Sequence, residues 1–140
     1  AVFGVVGLAT SFAQVYSVNA VGYVNVKLYP GYNLIANPLQ GTSALVSQLI
    51  NPSALVDEMA VFKFDNATQG YLLGNYSEIL GGWDFPTGEF GVAPGEGMFV
   101  LVPGTATKTN TFVGEVLQGT LTTPLVGGQG IFIFRFVKCI

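Results

Sequence analysis

Nineteen glycines and seven prolines, spread between short runs rich in Val, Tyr, Phe and Thr, constrain this chain of 140 residues more than any other feature. Glycine and proline at that frequency stop helices before they propagate, whereas short β-branched and aromatic runs closed by turn residues suit strands. The expectation is an all-β chain, folded as a two-layer antiparallel β-sandwich with one short helix. Hydrophobic residues make up 50% of the chain and charged residues 9%, the reverse of the low-hydrophobicity, high-charge signature of disorder. A domain of this length buries about two-thirds of its unfolded surface and needs no metal or disulfide to fold.

Residues 16–28 alternate loosely, with Val18, Val24 and Val26 on one parity and Asn19, Asn25 and Lys27 on the other, as in a strand with one solvated face. Pro30-Gly31 turns the chain into a second strand at 32–36, which Asn37-Pro38 closes because proline brings no backbone donor. The helix is expected at 43–50, capped by Thr42 or Ser43, with Leu45, Val46, Leu49 and Ile50 on one face and Pro52 as its stop. A further helical turn is expected over 54–59.

Residues 60–65 and 71–76 form a hairpin around a turn at 66–70, and 79–90 reads as a long surface loop, the class of segment that carries binding residues. A turn at 93–97 leads into 98–102, which is apolar on both parities and is expected to be a central strand covered on both faces. Strands at 105–113 and 115–121 complete the sheet pattern. The expected core comprises Val24, Val26, Leu34, Ile35, Phe62, Phe64, Phe99, Leu101 and Phe112. The tetrapeptide LQGT recurs at 39–42 and 117–120, which points to a duplicated half.

Residues 1–13 read as a signal-peptide remnant, with an apolar run from Val2 to Leu8 and small residues Ser11 and Ala13 before cleavage ahead of Gln14. That reading places the protein outside the cytoplasm, secreted or at the cell surface, with a β-sandwich domain over 14–130. Polar Thr10, Ser11 and Gln14 interrupt the run well short of the roughly 20 residues of a membrane span. The final segment, 131–140, holds Ile131 to Val137, apolar on both parities. It reads as a strand or as a sequence artefact, and as a strand it can add to a neighbour's open edge.

Histidine is absent, which removes the commonest general base and most zinc sites. No catalytic residue, metal site or cofactor is assigned. Lys27, Lys63, Lys108, Arg135 and Lys138 are scattered in a chain of net charge −3, so nucleic acid is not an expected partner. Cys139 is the single cysteine and forms no internal disulfide. Tyr71, Tyr76, Trp83 and Phe85, with Asp84, are the candidate ligand-binding residues, because exposed aromatic faces stack on sugar rings; the same residues fit a core equally well. Asp84, Glu89 and Glu96 supply the carboxylates a glycosidase would require.

SVNAVGYVNV (17–26), PGYNLIANPL (30–39), VFKFDNATQGY (61–71), APGEGMFV (93–100) and FVGEVLQGTLTTPL (112–125) together resemble uncharacterised exported β-rich proteins of Verrucomicrobia and related bacteria. GYNLIANP and PGEGMFV also resemble β-rich modules in large secreted proteins of Bacteroidetes. The resemblance implies an exported, sandwich-like protein and brings no catalytic residues with it. After Pro124-Leu125 the sequence departs from that pattern. The expected function is an exported non-catalytic module with a structural, adhesive or self-assembling role, partnered by its own edge strands or by cell-surface polymers. The alternative is a carbohydrate-binding module using the Trp83 loop, and a remote one is a carboxylate glycosidase.

Overall fold

The computed structural model describes residues 20–118. The signal-like segment 1–13, residues 16–19 of the first expected strand, the end of the second LQGT, the end of the expected 115–121 strand and the apolar tail 131–140 lie outside the described residues. Within them the chain runs β1 (Val21–Leu28), β2 (Gly31–Ala36), α1 (Val46–Leu49), a 3-10 turn (Pro52–Ala54), β3 (Ala60–Asp65), β4 (Gly70–Ser77), β5 (Gly82–Asp84), β6 (Gly97–Val102) and β7 (Lys108–Glu115). β1 and β7 form a two-stranded sheet, and a five-stranded sheet has the order β2-β6-β3-β4-β5. Every pairing is antiparallel. The expected all-β sandwich with one short helix is therefore the architecture observed.

Local chemistry explains how the chain changes layer and reverses. At the β1–β2 corner Gly31 takes a φ of 93°, open to glycine at no steric cost. There the Asn33 side chain accepts from Tyr29 N–H at 2.8 Å and donates to Tyr29 O at 2.7 Å and to Gly31 O at 3.0 Å. In the β3–β4 turn Asp65 accepts from the Thr68 hydroxyl at 2.7 Å and from the Ala67 and Thr68 N–H groups. Those bonds, the hydroxyl first, hold its carboxyl below the usual aspartate range. Because the folded value is depressed, the turn's contribution is complete above the ordinary aspartate pKa and is lost as pH falls through the folded one. Before β3, Glu58 N–H donates to Tyr76 O while Tyr76 N–H donates to Met59 O. Two residues thus oppose one, a bulge that turns the chain into the sheet.

Among the described residues, two strands are too few to cover five. From the small sheet, Leu28 and Phe112 are buried and Val24 and Val26 pack against the core; from the large one, Ile35, Val61, Met98, Val100 and Val102 face them. The remaining area is filled by connecting segments, which bring Leu39, Val46, Leu49, Ile50, Ala54, Met59, Phe90 and Val92 into the same cluster. Their buried backbone needs partners, and two asparagines supply them. Asn110 is fully buried; its Oδ1 accepts from Asn51 N–H at 2.8 Å and its Nδ2 donates to Leu49 O at 3.0 Å. Asn37 Nδ2 donates to Val92 O at 2.9 Å. Lys63, on the inner side of β3, donates to Gly91 O at 2.8 Å and pairs with Glu96 at 2.7 Å, which ties the 91–96 segment down.

Several expectations are corrected. The helix is shorter than 43–50: Ser43 Oγ accepts from Leu45 N–H at 3.1 Å, but α-geometry starts only at Val46, and Leu45 is exposed. The 54–59 segment is not helical, because the 3-10 turn that Pro52 opens ends at Ala54. The supposed loop 79–90 contains β5, an edge strand paired with β4. The last two expected strands are one within the described residues, β7 running unbroken through Gly114. Of the expected core, Ile35 and Phe112 are buried and Val24 and Val26 partly so, whereas Leu34, Phe62, Phe64, Phe99 and Leu101 lie on the opposite face of the large sheet. No helix among the described residues is long and apolar enough to cross a membrane.

Removing the Asn110 amide leaves Leu49 O and Asn51 N–H unpaired in a dry interior. Asn110→Ala is expected to destabilise the fold by about 2–3 kcal/mol, read from the urea midpoint; an unchanged midpoint would contradict this role.

Candidate binding face

Strand parity sorts the large sheet into two apolar faces. In β3, Val61 points inward while Phe62 and Phe64 point outward; in β6, Met98, Val100 and Val102 point inward while Phe99 and Leu101 point outward. The register sets these outer residues side by side. Phe62 lies opposite Phe99 and Leu73, Phe64 opposite Tyr71, Leu34 opposite Phe99, and Tyr32 opposite Leu101.

The rings lean across intervening strands to form a layer of their own. Tyr32 of β2 reaches over β6 to Phe62, with ring centroids 6.1 Å apart, and Tyr71 of β4 reaches over β3 to Phe99 at 6.5 Å. Phe64 and Tyr71 meet edge-to-face at 5.4 Å, a favoured aromatic geometry. Tyr32, Phe62, Tyr71 and Phe99 line a shallow cleft of about 270 Å³. Tyr32 is 70% exposed and Tyr71 51%, so the two phenol rings stand as its walls above a phenylalanine floor. No ionised side chain belongs to the outward parity of β2, β6, β3 or β4; Asp84 stands on that face opposite Asn75 at the β5 edge, and Asp65 follows Phe64 at the end of β3.

The five residues expected as a site divide between the two faces. Tyr71 and Asp84 point outward, as their register partners Phe64 and Asn75 do. Tyr76, Trp83 and Phe85 pack against the core. Trp83 meets Tyr76 edge-to-face at 5.6 Å and stacks on Phe85 at 5.8 Å, and its Nε1 is buried without an acceptor among the described residues. Phe85 in turn lies so close over Gly74 that a Cβ there would overlap its ring. The Trp83 segment thus anchors the β5 edge. The sequence pattern assigns Phe62 and Phe99 to the core and gives Tyr32 no role; the aromatic-aliphatic alternation in β3 and β6 is the signal for this face, and it reads equally well as core.

Two of the three candidate carboxylates accept bonds from the backbone. Glu89 accepts from Ser47 N–H at 2.9 Å, and Glu96 holds Lys63 and accepts from Ala93 N–H at 2.7 Å. A larger cleft of about 630 Å³, between β7 and residues 37–51, has Glu115 as its one acidic lining residue among the described residues. No group of three metal-ligating side chains occurs among the described residues. Comparison with family models, with curated proteins and with solved structures returns no match.

Because Gly74 carries the Phe85 ring, Gly74→Ala is expected to cost about 1–3 kcal/mol through overpacking and to shift the Trp83 fluorescence maximum. Unaltered stability and emission would show that the ring does not rest there.

Proposed function

We propose that this protein is an exported, non-catalytic β-sandwich module that adheres to neutral polysaccharide through the aromatic face of its five-stranded sheet. The observation that carries the reading is the cleft in which two exposed tyrosines flank a phenylalanine floor, with no ionised side chain among its described lining residues. A sugar ring offers an apolar C–H face and a rim of hydroxyls, and a tyrosine offers the matching pair, a flat apolar ring and a hydroxyl at its wet end. An uncharged cleft favours an uncharged partner, since an anion or cation would lose hydration there without gaining an opposite charge from the lining. The absence of histidine and the engagement of Glu89 and Glu96 in structural bonds support a module that binds without performing chemistry.

Affinity electrophoresis through gels containing neutral cell-wall and storage polysaccharides tests the proposal. Tyr71→Ala and Tyr32→Ala are each expected to weaken retardation roughly tenfold, as truncated aromatic anchors do, while Trp83→Phe retains it. Retardation lost with Trp83→Phe and kept in both tyrosine variants would place the ligand on the β5 segment instead. No retardation by any polysaccharide would remove the reading.

A further inference from the structure

The four sheet edges among the described residues differ in length and cover, and β1 is the longest without cover. β5 is three residues long and runs on to Pro86. β2 has six residues and is flanked by Pro30 and Pro38. β7 is covered on its outer side, where Gln40 and Glu115 exchange two backbone bonds of 3.0 and 2.8 Å and Asn51 Nδ2 donates to Thr111 O. β1 has eight residues, no proline and Lys27 as its single charge. Edges of that kind are templates for pairing.

The backbone direction follows from the ladder. Val116 N–H donates to Ala20 O at 2.8 Å, so even-numbered residues of β1 direct their N–H and C=O groups at β7. Alternation then points those of Val21, Tyr23, Asn25 and Lys27 away from it. The side chains beside this edge are open as well, Val21 and Tyr23 being 71% exposed.

We propose that β1 pairs antiparallel with β1 of a second copy of this chain, about a twofold axis at Asn25, joining the two small sheets into one. Only odd residues can exchange bonds across this edge, which restricts the axis to Val24, Asn25, Val26 or their equivalents further along. With the axis at Asn25, Tyr23 faces Lys27 of the second copy and Lys27 faces its Tyr23, so both ammonium groups lie against tyrosine rings. Moving the axis to Val24 or Val26 sets Lys27 against Val21 or Asn25 and loses that contact. A parallel arrangement would set the two lysines side by side. On the inner face Val24 meets Val26 of the second copy, which continues the apolar layer over the large sheet.

Sedimentation equilibrium of the full chain over a range of concentrations, with amide exchange followed by NMR, tests this pairing. A monomer–dimer equilibrium is expected, with the amides of Tyr23, Asn25 and Lys27 protected only at dimer concentrations. Tyr23→Lys opposes like charges twice across the twofold and is expected to weaken the dimer roughly tenfold or more; adding Lys27→Glu should restore it to within about threefold. If Tyr23→Lys fails to fold, Lys27→Glu alone tests the same contact and should also weaken the dimer. A monomer at every concentration, a dimer indifferent to these substitutions, or protection of the three amides in the monomer would overturn the proposal.

Discussion

Among the described residues a five-stranded sheet is opposed by a two-stranded one, and the rest of this structure depends on that constraint. The small sheet leaves part of the large one open, and burial of apolar area is the dominant favourable contribution to folding. The chain therefore brings residues 37–59 and 85–92 over the gap, with Val46, Leu49, Ile50, Met59, Phe90 and Val92 as the filling. Irregular backbone in a core is costly unless its N–H and C=O groups find partners. Asn37 and Asn110, the two buried polar residues among the described ones, meet that requirement with their side-chain amides.

The same mismatch explains why the large sheet is apolar on both sides yet divided in character. Its inner face carries Val61, Val100, Val102 and Met98, compact or flexible side chains that fit against the connecting segments. Its outer face carries Phe62, Phe64, Phe99, Tyr32 and Tyr71, which pack on one another by edge and tilt. Fully burying a valine or phenylalanine is worth about 1.5–3 kcal/mol, and an exposed tyrosine recovers only part of that. An aromatic layer with exposed tyrosines is better explained by what it meets than by the stability it adds, which is why the proposed polysaccharide contact is placed there.

Fold class and most strand positions were legible because turn chemistry is local. Pro30-Gly31, Asn37-Pro38 and the Asp65–Gly70 turn mark boundaries that depend on few neighbours, and β3 falls where its pattern put it. The candidate site was less legible. In β3 and β6 both parities are apolar, so alternation could not say which of Val61 or Phe62, Val100 or Phe99, faces the core; that depends on what the opposite layer offers. Trp83, between Gly82 and Asp84, reads either as an exposed loop residue or as the loop's buried anchor; pairing with Tyr76 and stacking on Phe85 pack it against the core within a strand. The helix is shorter than its apolar period implies because Leu45 carries the right period but pairs with Gly91 as an isolated bridge.

The parity of the large sheet is tested most directly by hydroxyl-radical footprinting of the native protein read by mass spectrometry. Methionine is intrinsically the more easily oxidised side chain, yet Met59 and Met98 are buried at 0% and 1% exposure while Tyr32 and Tyr71 stand open. The account predicts rapid labelling of both tyrosines and protection of both methionines until the chain unfolds. Methionines oxidised at the unfolded rate beside protected tyrosines would contradict it.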